Sequence, residues 1–351
     1  MSETPTRTRD VLELVKPPAS QGPLIDTFGR AISYLRLSVT DRCDLRCTYC
    51  MPERMTFLPK REVLSLEELH DLATGFIARG VTKIRITGGE PLVRKDIVGL
   101  FHALGQRLGN GLEELTLTTN ATQLARHAED LAKAGVARVN ISLDTLDRAR
   151  FAELSRRDAL PQVLDGISAA QEAGLKVKLN AVALKGVNED ELPDLIGWAH
   201  GLGADITLIE VMPLGDVEEE RLDQFLPLSD VRARLEQRWT LTDNAHKTGG
   251  PAHYVDVAET GGRLGFITPH TNNFCDGCNR LRVTATGQLY PCLGGGERVD
   301  LRAALRSDDP QRQLAAALDK TMLIKPERHH FRMDQRGAQP HLARHMSMTG
   351  G

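Results

Sequence analysis

The residues of this 351-residue chain best suited to chemistry are its six cysteines, which fall into two groups of three. Cys43, Cys47 and Cys50 are spaced C-x3-C-x2-C, and Cys275, Cys278 and Cys292 are spaced C-x2-C-x13-C, with no cysteine between the groups. Thiolates are soft ligands suited to zinc or to iron–sulfur clusters. Odd-numbered groups fit poorly with closed disulfide pairs, and clustered cysteines in a cytosolic chain point to metal binding or catalysis. A closed structural zinc site wants four ligands. The histidine nearest the first group is His70, in a predicted helix, while His270 stands close enough to the second group to complete a zinc ribbon. Three thiolates on a cubane of four irons instead leave one iron open to an exogenous ligand, and chemistry can occur there.

Composition narrows what surrounds these groups. Hydrophobic residues make up 41% and charged residues 26%, which excludes disorder along the whole chain. No stretch approaches about 18 consecutive apolar residues, so no membrane span is expected. The N-terminus lacks the apolar run of a secretory signal, and a cytoplasmic location is expected. With 44 basic against 47 acidic residues the formal net charge is -3, which offers no general footprint for nucleic acid or anionic lipid. Any anion must be met by local clusters. The chain lacks the G-x-x-x-x-G-K-[ST] loop of phosphate-transferring nucleotide enzymes.

The elements that must position the cysteines alternate. Strands are predicted at Leu35–Thr40, Lys83–Thr87, Glu114–Thr119, Arg138–Leu143, Lys176–Ala183 and Ile206–Val211, with helical patterns between them. Ser65 and Asn188 suit helix N-caps, and Gly80, Gly135, Gly174 and Gly203 suit helix stops. Six βα units in series imply a parallel sheet. Within each strand one face is apolar, as with Leu35, Leu37 and Val39, and the other polar, as with Arg36, Ser38 and Thr40. A doubly wound sheet needs two apolar faces. One apolar face implies a curved sheet, helices outside and a polar lumen carrying Arg36, Arg85, Thr118, Ser142 and Lys178, which suits a polar, anionic ligand. The domain organisation expected is a flexible arm over 1–26, a partial barrel over 27–215, a C-terminal α+β unit over 216–325 and a His/Arg-rich tail over 326–351. Histidines 329, 330, 341 and 345 in that tail read as solvated.

The first cysteine motif, with Tyr49 before its last cysteine, resembles the signature of the radical S-adenosylmethionine (SAM) superfamily, and ITGGEP at Ile86–Pro91 is similar to that superfamily's GGE motif. The second motif with its Arg280-Leu281-Arg282 segment, together with LRLSVTDRC, LTTN, NISLDTL, IEVMPLG and the terminal Gly350-Gly351, resembles the GTP 3′,8-cyclase family of molybdenum cofactor biosynthesis from about Thr27 onward. The resemblance implies an incomplete (βα)6 TIM-type barrel with a C-terminal α+β domain carrying a second iron–sulfur cluster. It implies two [4Fe-4S] clusters, held by Cys43, Cys47 and Cys50 and by Cys275, Cys278 and Cys292, with SAM on the open iron of the first and GTP on that of the second. A 5′-deoxyadenosyl radical would take hydrogen from C3′ of GTP, and the carbon radical would attack C8 of guanine.

By motif match, Tyr49, Gly89, Glu90, Ser142 and Met212 would bind SAM, with the Glu90 carboxylate accepting from its ammonium. Arg36, Arg85, Thr118, Lys178, Arg280, Leu281 and Arg282 would hold GTP, and Gly350 and Gly351 would project into the active site. The same resemblance implies an electron donor such as flavodoxin, handover of product to a downstream cyclic pyranopterin monophosphate synthase, no nucleic acid or membrane partner, and room for a homodimer. Ala121 stands where family members often carry glycine, which asks whether that turn needs a positive φ. Two rival readings are a radical enzyme modifying peptides or small molecules with an auxiliary cluster, and a non-enzymatic iron–sulfur carrier; the latter leaves the GGEP motif and the polar lumen unexplained.

Overall fold

The computed structural model describes residues 22–215, 221–271, 274–329, 331 and 344–350. Six parallel strands, β1 (Tyr34–Ser38), β2 (Lys83–Thr87), β3 (Glu114–Thr119), β4 (Arg138–Ser142), β5 (Lys176–Ala183) and β6 (Asp205–Glu210), are adjacent in chain order. Their crossovers carry α1 (Leu66–Ala78), α2 (Ile97–Gly105), α3 (Ala128–Lys133), α4 (Arg148–Ser155), α5 (Leu160–Glu172) and α6 (Leu192–Gly201). Leu35, Leu37, Ile84, Ile86, Leu115, Leu117, Val139 and Ile141 pack in one core with Leu72, Phe76, Leu100, Phe101, Val163 and Ile167 of the helices. The opposite faces of β1, β2, β5 and β6 meet around shared cavities, so the sheet is curved into a partial barrel.

Local signals act as their chemistry dictates. Ser65 accepts from the Glu68 amide while Glu68 reaches back to the Ser65 amide, a reciprocal capping box. Asn188 does not cap α6. Its side chain accepts from Leu184 N and donates to the Asp144 and Val182 carbonyls, bracing the loop after β5, and the helix begins only at Leu192. Ala121 has a φ of 66° while fully buried, so the turn does take the left-handed conformation that glycine adopts more easily.

The chain beyond Met212 joins the barrel sheet at both margins rather than standing beside it. After α7 (Arg221–Gln224) and α8 (Leu228–Leu235), β7 (Leu241–Asn244), β8 (His253–Val257) and β9 (Gly262–Ile267) extend one edge, β9 running parallel to β6. At the other edge β10 (Arg280–Val283) runs parallel to β1, followed by β11 (Gln288–Tyr290) and β12 (Val299–Asp300). The result is a 12-stranded sheet. Two further helices, α9 (Leu301–Leu305) and α10 (Pro310–Ile324), follow, and α11 (Met346–Thr349) comes last. Residues 22–26, expected as part of a flexible arm, are packed: Leu24 is fully buried in the core and its amide donates to the Arg79 carbonyl. Among the described residues no helix is long and apolar enough to cross a membrane.

Two helical glycines face different surroundings, Gly166 the turn after β3 and Gly197 open space. A Cβ on Gly166 of α5 would stand 2.4 Å from the Ala121 carbonyl oxygen, whereas one on Gly197 of α6 would meet nothing within 4 Å. Gly166→Ala should therefore cost about 1–3 kcal/mol by overpacking, and Gly197→Ala should add about 0.5–1 kcal/mol by restricting the unfolded chain. Paired denaturant titrations check both; equal effects would refute the packing assigned to Gly166.

Candidate active site

The loop after β1 carries the first triad and is clamped from two sides. The Arg46 and Thr48 amides donate to the Ser155 and Leu154 carbonyls at 2.9 Å each, tying the loop to the end of α4. From the other side, Gly89 N donates to Thr40 O and Glu90 N to Arg42 O, both at 2.8 Å. A Cβ at Gly89 would lie 2.3 Å from the Arg42 oxygen, and one at Gly88 2.7 Å from the Thr40 oxygen. The paired glycines therefore admit the cysteine loop against the end of β2, besides lining the cavity into which it opens.

Cys43, Cys47 and Cys50 line this first cavity with Tyr49, Gly88, Gly89, Thr118, Ser142 and Met212. Burial pushes the Cys43 thiol up, aided by Glu90, Cys50 and Asp44; burial and then Cys50, Cys43 and Asp144 push Cys47 up. Thiols that burial holds neutral become thiolates when a cation binds them, so metal loading would release protons here. Glu90 is not among the residues that line the cavity. Its carboxylate, fully buried and raised to about 7 by that burial, accepts from Leu92 N, Thr119 Oγ1 and Asn120 N, stitching two βα loops together. The Tyr49 hydroxyl donates to Asp144 at 2.6 Å, and Asp144 also accepts from Val182 N. Asp144 and Asn120, which reaches Cys43 Sγ at 3.7 Å, belong to motifs visible in the sequence, yet their individual contacts were not.

The second cavity is cationic. Register sets Arg36 beside Arg85 of β2 on one side and Arg282 of β10 on the other, so three guanidinium residues lie in one row across adjacent parallel strands. The row below is Arg280, Tyr34 and Lys83. Arg36, Arg85, Arg280, Arg282, Lys178 and Tyr34 line the cavity together with Cys275, Cys278 and Cys292. Like charges set side by side on a sheet are destabilising. Burial lowers Arg36, Arg85 and Arg282, the last to about 10, and lowers Lys178 to about 7 with Arg85 and Arg138 adding to it. The Nε atoms of Arg36 and Arg85 and the Tyr34 hydroxyl are buried without a partner. Lys83, by contrast, is paired with Glu114. Such a set suits a polyanion.

Asn180, Ile209, Met212 and Met346 line both cavities, so the two are halves of one lumen. Thr118 falls in the cysteine half rather than with the arginines, and its hydroxyl is buried without a partner. Leu281 points away from the lumen: alternation along β10 turns its side chain into the core, where it is fully buried. Gly350 packs on Thr87, to which a Cβ would come within 2.0 Å, and its carbonyl accepts from Arg282 at 2.9 Å. Gly351 lies outside the described residues, as do His330 and His341. Among the described residues no three His, Cys, Asp or Glu side chains converge as ligands of a single metal ion. The thiolates of a polynuclear cluster sit on separate irons and stand further apart. The donor chemistry of each triad and the orphaned polar atoms between them fit a cluster at each end with polar ligands in the lumen.

A Radical SAM superfamily model matches residues 37–199, and one described as Molybdenum Cofactor Synthesis C matches residues 204–331. The fold agrees with solved structures: Streptococcus suis SuiB bound to S-adenosylmethionine (TM-score 0.57, 19% identity, 82% of this chain and 64% of SuiB) and anSMEcpe with bound AdoMet (TM-score 0.52, 13% identity, 79% and 81%). A partial TIM-type barrel presenting a C-x3-C-x2-C loop at the mouth of its lumen defines a radical SAM protein. Curated relatives narrow the class: the chain is 74% identical over 328 residues to a GTP 3′,8-cyclase of Erythrobacter litoralis, covering 93% of this chain and 98% of that one. It is 59% identical over 333 residues to one of Rhizobium etli (95% and 96%) and 57% identical to one of Agrobacterium fabrum (95% and 95%). The chain belongs to the GTP 3′,8-cyclase family.

Close approach at Gly89 makes a specific demand. Gly89→Ala should lower the iron and sulfide bound after anaerobic reconstitution, because the cysteine loop must move off β2. A Cys275→Ala variant measured beside it separates the second triad's share. Undiminished iron in Gly89→Ala would show that the loop tolerates the displacement.

Proposed function

We propose that the chain is a radical SAM GTP 3′,8-cyclase that converts GTP to (8S)-3′,8-cyclo-7,8-dihydroguanosine 5′-triphosphate, the first step of molybdenum cofactor biosynthesis. The observation that carries this reading is the row Arg282–Arg36–Arg85, with Arg280 and Lys178, beside one cysteine triad and across a shared lumen from the other. When bound, a [4Fe-4S] cluster at the first triad would pass one electron from an external reductant to SAM and so supply methionine and a 5′-deoxyadenosyl radical, while one at the second triad would hold GTP. The chain's own residues bind, orient and enclose. In the first half Tyr49, Gly89, Ser142 and Met212 are available to SAM, and Thr118 joins them. In the second, the guanidinium groups, Arg36 and Arg85 buried and Arg280 and Arg282 half-buried, answer the triphosphate with charge-assisted bonds. Met212, Asn180 and Met346, common to both halves, set the distance between the two ligands.

Arg282 has two duties, since it also fixes the Gly350 carbonyl. The tail is thereby drawn over the lumen, and its close approach to Thr87 leaves room only for glycine. The same reading brings an auxiliary-cluster unit over 216–325, a cytoplasmic location, a low-potential donor such as flavodoxin, handover of product to a cyclic pyranopterin monophosphate synthase, and a homodimer as the assembly to test.

The direct test is anaerobic: reconstituted protein, SAM and dithionite, with 5′-deoxyadenosine quantified in the presence of GTP, of another nucleotide and of none. GTP deuterated at C3′ should pass deuterium into deoxyadenosine, with GTP consumed in step. Slow cleavage of SAM that is indifferent to the nucleotide would keep the radical class and reject the substrate. Deleting Gly350 and Gly351 should abolish cyclisation while both clusters remain.

Lys178 gives a test independent of turnover. Its free-state value near 7 means that it is largely neutral at pH 8. A bound polyanion favours the ammonium, so binding raises the lysine's pKa and takes up a proton. Affinity therefore falls as pH rises through and above 7. Calorimetry of GTP binding at pH 8 in buffers of different ionisation enthalpy should detect uptake of about one proton. Lys178→Met should remove that uptake, while titration of the phosphate itself, common to both proteins, cancels in the comparison.

A further inference from the structure

Lys325 caps the C-terminus of α10 and is 3% exposed, yet it does not line either half of the lumen. An ammonium has three protons and accepts nothing. Here the acceptors are the Pro291 carbonyl at 2.8 Å, the Arg280 carbonyl at 3.2 Å and Cys278 Sγ at 3.6 Å. The side chain thus joins the C-x2-C loop to the strand end that delivers Cys292. None of its three acceptors is a carboxylate. A buried charge needs an opposite charge, and the one partner able to carry it is the sulfur, as a thiolate. Arg280 Nη2, 3.9 Å from the same sulfur, adds a second cation. The first triad has the opposite setting, with Asp44, Glu90 and Asp144 for neighbours and the neutral Asn120 amide as the donor nearest Cys43.

We propose that Lys325 is the buried counter-charge of the second cysteine triad, a positioning residue that holds the Cys278 and Cys292 segments at cluster spacing and makes the second cluster easier to reduce than the first. Net charge and hydrogen bonds to sulfur are among the terms that set such potentials. The inference rests on the reading that each triad carries a cluster. It adds what no motif contains: a lysine 33 residues beyond Cys292 that belongs to the same site.

The test uses the full chain, reconstituted anaerobically, with iron and sulfide counted and the reduction of each cluster followed by electron paramagnetic resonance against potential. A Cys43→Ala/Cys47→Ala/Cys50→Ala background isolates the second cluster. Lys325→Met should either lose that cluster's iron or keep it with the midpoint shifted to more negative potential. Lys325→Arg, which preserves the charge, should keep the iron and stay closer to the wild-type midpoint. Wild-type iron and midpoint in Lys325→Met would overturn the proposal. So would equal losses in Lys325→Met and Lys325→Arg, since shape rather than charge would then be at stake. Far-ultraviolet circular dichroism identifies a variant that has not folded; Lys325→Arg and Lys325→Gln then carry the comparison, and no difference between them would overturn the proposal equally. If the wild-type chain itself binds iron at the first triad alone, the two-cluster reading fails instead.

Discussion

Three guanidinium groups held side by side across neighbouring parallel strands are the constraint on which the rest of this structure depends. Arg282, Arg36 and Arg85 share a register row, Arg36 and Arg85 buried and Arg282 half-buried, and no carboxylate is paired with any of them among the described residues. Side by side in a buried site such groups repel, and at an effective dielectric near 20 a unit pair at 4 Å interacts by about 4 kcal/mol. The fold tolerates this because the strands are fixed from outside: the apolar face of each is locked to the helix layer, so the polar face has no freedom to turn away. An anion in the lumen would offset the repulsion.

The two ends of the lumen are electrostatically opposed. At the first triad, carboxylates surround the sulfurs and raise the thiols after burial has done so. At the second, burial would raise Cys278, but Arg280 and Lys325 hold it at about 7. A cationic ligand such as a sulfonium suits the first environment and a polyanion the second. The division follows from which loops reach each end. Acidic residues come from the βα loops of the barrel, and cations come from the lumen faces of β1, β2, β5 and β10 and from the cap of α10.

The outer strands explain how one lumen obtains two cysteine triads. β10 adds to β1 in parallel and β9 adds to β6 in parallel, although both lie far along the chain. The loop before β10 carries Cys275 and Cys278, so pairing with β1 brings the second triad to the same sheet as the first. Arg30 reinforces this join: its guanidinium donates to the carbonyls of Cys275, Pro326 and Glu327 while pairing with Asp26. Residues 22–26 therefore belong to the site's scaffold, a role that the polar, proline-punctuated stretch around them does not announce.

What the sequence determined by itself is the local chemistry: two thiolate triads, the alternation that gives each strand an apolar and a polar face, the Ser65 cap of α1 and the glycine stops of the crossover helices. These follow from residue type and short spacing, and strand limits such as Lys83–Thr87, Glu114–Thr119 and Lys176–Ala183 were legible for that reason. The tertiary structure alone decided which polar groups share a cavity. Glu90 accepts from three donors that tie neighbouring loops together, Thr118 lies with the cysteines rather than the arginines, and Leu281 turns into the core. Asn188, an apparent helix cap, braces a loop. Asp144, Asn180, Met346 and Lys325 reach the site through contacts between segments distant along the chain. Sequence periodicity reports a residue's face on its own element; the register between strands and the packing of loops, which long-range contacts set, decide what that face meets.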